Sequence, residues 1–276
     1  MTYVQESQKK FFEQEGYLVL PKVFPDEQIK PVIDEYERIR IHLLKNNEIL
    51  QHEKKPLFSL YPRLRDYHKK NKKIADTVFQ NFLFDVMAEL IGEEPLLIST
   101  SYYFKSPDTP GLPLHQDNYA FGVSPGTTYA AWISLDSSDN ENGGLTFIKG
   151  SQKMRLIQPK TNTENVKEYF SDEGQKVDVD DPERIVHVQT EPGDIVIFNG
   201  RIIHGSTQNQ SRYCYRRSLI AHFTGASVER LALNFNWLYN RYGQKVRRRL
   251  NKNTKITEKH GTVFSIQKAQ YFEDWR

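Results

Sequence analysis

From residue 96 to residue 223 the chain sets short β-branched and aromatic runs between glycine-, proline- and asparagine-rich turns, with no helical period between one run and the next. This constrains the fold more than any other feature. Without helices to carry crossovers, consecutive strands pair antiparallel, as they do in a sandwich or jelly roll. Strand-like runs fall at 96–105, 128–135, 145–148, 185–188, 195–198, 202–204 and 214–223. Asp108-Thr-Pro-Gly111, Asn142-Gly-Gly144, Pro192-Gly-Asp194 and Asn199-Gly200 supply turns between them.

Upstream of Gly92 the apolar period is helical. Ser7 can cap a first helix and Gly16 can end it, and 17–20 reads as a short strand. A second helix starts near Pro25-Asp26 and carries Ile29, Val32, Ile33, Tyr36 and Ile39 on one face. A third is expected over 71–90, with Ile74, Val78, Phe82 and Val86 at four-residue spacing and Gly92 closing it. With no internal repeat, one domain is expected over 1–276. It comprises helical decoration (1–92), a jelly-roll core (93–225) and a basic C-terminal extension (226–276). The polar stretch 158–184 is long for a connection and reads as a lid.

A hydrophobic content of 38% with 12% aromatics is enough for a sizeable core. No run of about 18 apolar residues reads as a membrane span, and the first residues do not read as a secretory signal. The single cysteine, Cys214, excludes an internal disulfide and any multi-cysteine metal cluster, which suits a reducing cytoplasm. A net charge of +3 requires no polyanionic partner. The excess is local: 241–259 carries eight basic side chains and one acid, so the rest of the chain is at −4. That stretch reads as a solvated surface segment, with nucleic-acid binding as the alternative.

Of eight histidines, His42, His52, His68 and His260 sit among charged residues and are expected at the surface; His187 and His222 read as packing residues in strands. His115 and Asp117 differ. In an extended stretch, a spacing of two puts both side chains on one face. His204 follows 87 residues after Asp117, beside apolar Ile202 and Ile203, where a neutral imidazole is favoured over a charged one. Two histidines and one carboxylate form the facial set that binds non-haem iron(II) and leaves positions open.

These residues and their neighbours resemble the phytanoyl-CoA dioxygenase family of iron(II)/2-oxoglutarate oxygenases. The matching segments are Phe12-Glu-Gln-Glu-Gly-Tyr17, Leu114-His-Gln-Asp117-Asn-Tyr119, Ala131-Trp132 through Asp136, Asn142-Gly-Gly-Leu145, Gly150-Ser151, Pro192-Gly-Asp194, His204-Gly-Ser206 and Tyr215-Arg216-Arg217. The resemblance implies a double-stranded β-helix (jelly roll, cupin-like) with N-terminal helices. It implies Fe(2+) held by His115, Asp117 and His204, with 2-oxoglutarate and O2 as co-substrates. Arg216 and Arg217 both fall near the family's arginine for the distal carboxylate of 2-oxoglutarate; aligning the strand back from His222 puts Arg216 there, with Ser206 and Trp132 lining the same pocket, and strand alternation would then turn Arg217 toward solvent. Lys149-Gly-Ser-Gln152 departs from the family's usual Pro-Gly-Ser-His, a change that is expected to bear on local packing or substrate contacts rather than on the metal. Asp117 is retained, whereas related halogenases carry a small residue there, so hydroxylation is implied over halogenation.

Lys105 and Tyr103 share one strand face just upstream, and Asn118 and Tyr119 follow the metal motif. This lining suits a small anionic or zwitterionic substrate, such as an amino acid derivative or an aminoalkylphosphonate. Two rivals stay open: a catalytically silent jelly roll that binds a ligand or nucleic acid, and a zinc hydrolase built on the same triad.

Overall fold

The structure, a computed structural model, describes residues 2–53, 56–157, 160–161, 175–176, 182–232, 235 and 237–250. The expected lid at 158–184 lies largely outside these residues, as does the basic segment beyond residue 250.

Helix α1 (Glu6–Glu15) begins at a capping box built on Gln5 and Gln8, two residues earlier than a Ser7 cap would place it. It ends at Gly16, whose φ of 86° is accessible to glycine without strain. Strand β1 (Tyr17–Leu20) and helix α2 (Asp26–Lys45) follow, then a short α3 (Pro56–Ser59) and β2 (Leu64–Arg65). The expected third helix is two: α4 (Lys72–Val78), capped by the Asn71 side chain, and α5 (Asn81–Ile91). Residues four apart drift about 40° per step around a helix of 3.6 residues per turn. Ile74 and Val78 are buried from α4 and Val86 from α5, while Phe82 is only partly buried. The break at Gln80 re-aims the chain, so that α5 buries Leu83, Phe84, Val86 and Met87.

The strands that follow are β3 (Pro95–Lys105), β4 (Thr128–Ser134), β5 (Leu145–Ile148), β6 (Lys160–Thr161), β7 (Gln175–Lys176), β8 (Ile185–His187) and β9 (Ile195–Asn199). Next come β10 (His204–Ser206), β11 (Arg216–Gly225), β12 (Arg230–Leu231), β13 (Trp237–Tyr239), β14 (Lys245–Arg247) and β15 (Arg249–Leu250). One sheet has the order β1-β9-β4-β11-β3-β13-β14, with β2 added to β3; a smaller one has the order β10-β5-β8. Every pairing in these two sheets is antiparallel. The fold is mostly β with N-terminal helices, and its jelly-roll architecture matches the expectation.

Two strands start later than their apolar runs suggest. The Ile202 amide donates to the Asn199 carbonyl at 2.9 Å, so the turn extends through Ile202 and β10 begins at His204. Cys214 stays outside β11, its carbonyl engaged by the side chains of Asn209 and Ser211. The outer face of the large sheet, including Ile133, Ile197, Leu219, Ala221 and Phe223, forms one core with α1, α2, α4 and α5. The inner face packs Trp132, Phe198 and Ile220 against Leu145 and Phe147 of the small sheet. Charge from the basic stretch is partly used in the fold: Arg241 pairs with Glu94 and Asp85, and Arg248 donates to the carbonyls of Ala226 and Val228. Among the described residues no helix is long and apolar enough to cross a membrane.

His68 is buried, against the surface position its charged neighbours suggested; its Nδ1 lies 2.8 Å from the Thr100 hydroxyl. Burial depresses its pKa from 6.5 to about 4. Below pH 6.5 the unfolded chain thus binds a proton that the folded chain refuses until about pH 4. Stability is therefore expected to fall through that window, by about 3 kcal/mol from this side chain, and to change no further on its account below it. Denaturant midpoints for wild type and His68→Gln across pH 4–7 check this; parallel pH profiles would contradict it.

Candidate functional site

The two histidines are brought together by backbone pairing. His115 and His204 exchange both amide–carbonyl hydrogen bonds, at 2.8 and 2.9 Å, which adds the His115 segment to the edge of the small sheet. Asp117 arrives differently from the expectation. Gln116 is extended, but Asp117 opens a short helix, α6 (Asp117–Phe121), rather than continuing a strand. An aspartate in a first helical turn is favoured by the exposed amides there.

The three side chains nevertheless converge. One ligand atom from each of His115, Asp117 and His204 lies within 4.8 Å of the others. His115 Nε2 is 3.4 Å from Asp117 Oδ1, and His204 Nε2 is 3.7 Å from Asp117 Oδ2. Backbone carbonyls orient both rings: His115 Nδ1 donates to Pro113 at 2.8 Å and His204 Nδ1 to Ile202 at 3.1 Å. Each Nε2 lone pair is thereby left aimed at the carboxylate, as a metal ligand requires. Burial, with His115 alongside, pushes His204 down to about 4, so its ring is neutral at physiological pH. Burial alone would raise the Asp117 carboxyl, yet the imidazoles of His204, His222 and His115 hold it well below the usual carboxylate range. Two imidazoles and one carboxylate on one side of a cavity fit a divalent ion with positions left open.

His222, read from the sequence as a packing residue, belongs to this cluster. Its Nε2 donates to Asp117 Oδ2 at 3.2 Å. The signal was present in the spacing: Arg216, Ser218, Ile220 and His222 alternate onto one face of β11. His187 lies instead on β8, with its Nδ1 3.0 Å from the Thr146 hydroxyl.

That β11 face is the cavity face. Arg216 pairs across to Lys105, Ser218 to Tyr103 and Ile220 to Ser101 on β3, while Ile220 pairs to Trp132 on β4. Arg216 is buried and its guanidinium lies 5.6 Å over the Trp132 ring. It donates to the Gly143 carbonyl at 3.1 Å and to the Ser218 hydroxyl at 2.8 Å. Burial lowers its pKa only to about 10, so it keeps its charge. Lys105 is buried beside it and donates to the Ser206 hydroxyl at 2.9 Å and to the Thr207 carbonyl. Burial, with Arg216 nearby, pushes its ammonium well below the usual lysine range. Gly143 covers both cations at a φ of 97°, and a methyl group there would strike the Lys105 stem.

Arg217 points the other way, but into a partner rather than into solvent. It makes a bidentate pair with Asp136, at 2.8 and 2.6 Å. Tyr103 lines the cavity with Lys105, Ser206, Trp132 and Arg216. Asn118 and Tyr119 are not among the cavity-lining side chains. The Asn118 amide is used locally: its Oδ1 accepts from the Thr128 amide at 3.2 Å, and its Nδ2 faces the Val123 carbonyl. Two arginines that the sequence reading passed over, Arg63 and Arg65, do line it.

Residues 12–218 match the model of the phytanoyl-CoA dioxygenase (PhyH) family. The chain belongs to the phytanoyl-CoA dioxygenase family. Membership makes it a non-haem iron(II)- and 2-oxoglutarate-dependent oxygenase that uses O2. Among phytanoyl-CoA dioxygenase relatives, the bovine peroxisomal phytanoyl-CoA dioxygenase is 27% identical over 240 residues, covering 80% of this chain and 68% of its own. The 2-aminoethylphosphonate dioxygenase of uncultured bacterium HF130_AEPn_1 is 25% identical over 230 residues, covering 80% and 82%. The structure of EctD from S. alaskensis with 2-oxoglutarate and 5-hydroxyectoine shares the fold, with a TM-score of 0.64, 18% identity, and coverage of 83% of this chain and 80% of that one. The carbocyclase SnoK from nogalamycin biosynthesis does so equally, with a TM-score of 0.64, 18% identity, and coverage of 82% and 86%.

Proposed function

We propose that this oxygenase hydroxylates a small anionic or zwitterionic molecule, with His115, Asp117 and His204 as its iron(II) ligands and Arg216 as the partner of the 2-oxoglutarate distal carboxylate. The observation that carries this reading is one cavity holding both a convergent His–Asp–His set and a buried, charged arginine on the same strand face. A guanidinium in a site shielded from water is suited to a bidentate carboxylate.

Lys105 joins the cosubstrate pocket in this reading, rather than the substrate site expected from its place in sequence. Its ammonium sits on the Ser206 hydroxyl beside Arg216, so the three groups present donors to one carboxylate. Trp132 fixes the arginine from below, and Tyr103 is left to face the primary substrate. Bound iron would supply the redox chemistry: O2 is consumed, 2-oxoglutarate becomes succinate and CO2, and the remaining oxygen atom enters a C–H bond as an alcohol. The chain contributes orientation and water exclusion, the latter from Leu145, Phe198 and Ile220 around the cavity. Retention of Asp117 favours hydroxylation over halogenation.

Support for the substrate class comes from the basic cavity lining and from the relative that acts on 2-aminoethylphosphonate. A reducing compartment such as the cytoplasm suits the free, exposed Cys214 thiol. Iron-dependent succinate release, measured over a panel of small amino acids, amines and phosphonates against an acyl-CoA, tests the proposal. Stimulation by a small anion or zwitterion is expected. Stimulation by the acyl-CoA alone would overturn the substrate class.

A further inference from the structure

Nδ1 of His222 and the hydroxyl of Ser99 are both buried beside the candidate metal site, and neither has a hydrogen-bond partner among the described residues. Orphaned polar atoms of this kind are few in a folded protein, and each asks for an explanation.

The sheet register makes these two groups neighbours. His222 pairs with Ser99 on β3 and with Ala130 on β4. Side chains opposite each other in an antiparallel pair stand about 5 Å apart at Cβ. On its own strand His222 is flanked by Ile220 and Thr224, and the Thr224 hydroxyl already donates to the Thr127 carbonyl at 3.1 Å. Phe121 covers the imidazole, with 4.7 Å between ring centroids. Among these neighbours Ser99 alone offers an uncommitted hydrogen-bonding group. Nδ1 is also the ring nitrogen nearer the backbone, so a hydroxyl on the adjacent strand reaches it by rotation or through one bridging water.

A β-bulge brings the serine to this place. Leu97 faces the outer core, yet Ser101, with the same parity, lines the cavity. Alternation changes sense only where a residue is added, and the register of β3 against β11 shifts between His222 and Phe223, the latter pairing with Leu97. Ile98 is the extra residue. It packs with Phe121 and Phe235, while Ser99 falls on the face of Ser101, opposite His222.

Taking the metal site of the proposed function as its basis, we propose that Ser99 is a positioning residue for the metal-binding carboxylate. Its hydroxyl engages Nδ1 of His222 and so keeps the Nε2 hydrogen of that ring directed at Asp117 Oδ2. The bond made by one ring nitrogen sets where the proton sits on the other. With Nδ1 unengaged, the second tautomer competes, and it turns an Nε2 lone pair toward the carboxylate. A hydroxyl suits the task because it both donates and accepts.

Nitrogen NMR of the isotope-labelled chain, loaded with 2-oxoglutarate and with Zn(II) as a diamagnetic stand-in for Fe(II), reads the tautomer directly. The wild type is expected to show His222 in one form, with its proton on Nε2. Ser99→Ala should mix the two tautomers and lower Fe(II) affinity by about three- to tenfold, less than the roughly 10- to 100-fold typical of losing an outer partner outright. In a His222→Ala background, Ser99→Ala should lower iron affinity no further, because the serine acts only through that ring. An unchanged His222 spectrum or unchanged iron affinity in Ser99→Ala would overturn the proposal. So would an equal loss of affinity in both backgrounds, which would give Ser99 a role independent of His222. A wild type that takes up neither metal would overturn the metal site itself, a result distinct from the others.

Discussion

Arg216→Ala is expected to weaken 2-oxoglutarate binding by roughly 30- to several-thousand-fold, equivalent to about 2–5 kcal/mol. The side chain is buried, stays charged, and sits where water is scarce, so its loss leaves a carboxylate without its charge-assisted partner. Lys105 cannot substitute fully, because its burial disfavours the charged ammonium. The neighbouring Arg217→Ala is expected to leave the 2-oxoglutarate KM unchanged and to lower stability instead. Its bidentate pair with Asp136 is half-buried, so removing it should cost about 1–3 kcal/mol, more than an exposed ion pair would. Cosubstrate KM and denaturant midpoints for both variants check the assignment. A raised KM in Arg217→Ala with none in Arg216→Ala would reverse the roles of the two arginines.

His115→Ala, Asp117→Ala and His204→Ala are each expected to abolish turnover and to lower Fe(II) affinity by more than about 100-fold, since each removes one of the three side chains proposed to hold the ion. His222→Ala should behave differently. It removes a donor to Asp117 rather than a ligand, and losses of that kind typically cost about 10- to 100-fold in metal affinity. Anaerobic metal titration of the four variants ranks them. Full iron affinity in any of the first three would remove that residue from the site, and full affinity in His222→Ala would reduce its hydrogen bond to packing.

The strands and the convergence of His115, Asp117 and His204 were readable because their signals are local. The apolar run at 145–148 is β5 to the residue, and alternation along β11 turns Arg216 and Arg217 to opposite faces. What the sequence obscured depends on pairings between distant segments. His222 reads as a core histidine until β11 is laid beside β4 and α6. His68 looks solvated among lysines, yet the α4 and β3 packing encloses it. Arg63 and Arg65 lie just before and within a strand of two residues, too short to show a period, in a stretch whose charge suggests surface. The single helix expected over 71–90 is interrupted at Phe79 and Gln80, which cap α4 and α5, and neither residue carries a glycine or proline signal that would mark the break.

The most direct measurement is the anaerobic visible absorption of the purified chain on addition of Fe(II) and then 2-oxoglutarate. Chelation of a three-ligand iron by the 2-oxo acid predicts a weak charge-transfer band in the wild type, saturating at one equivalent of each. The same band should be missing in His204→Ala and should appear in Arg216→Ala only at much higher 2-oxoglutarate. A wild type that binds iron stoichiometrically but shows no band at saturating 2-oxoglutarate would contradict the assignment of this site.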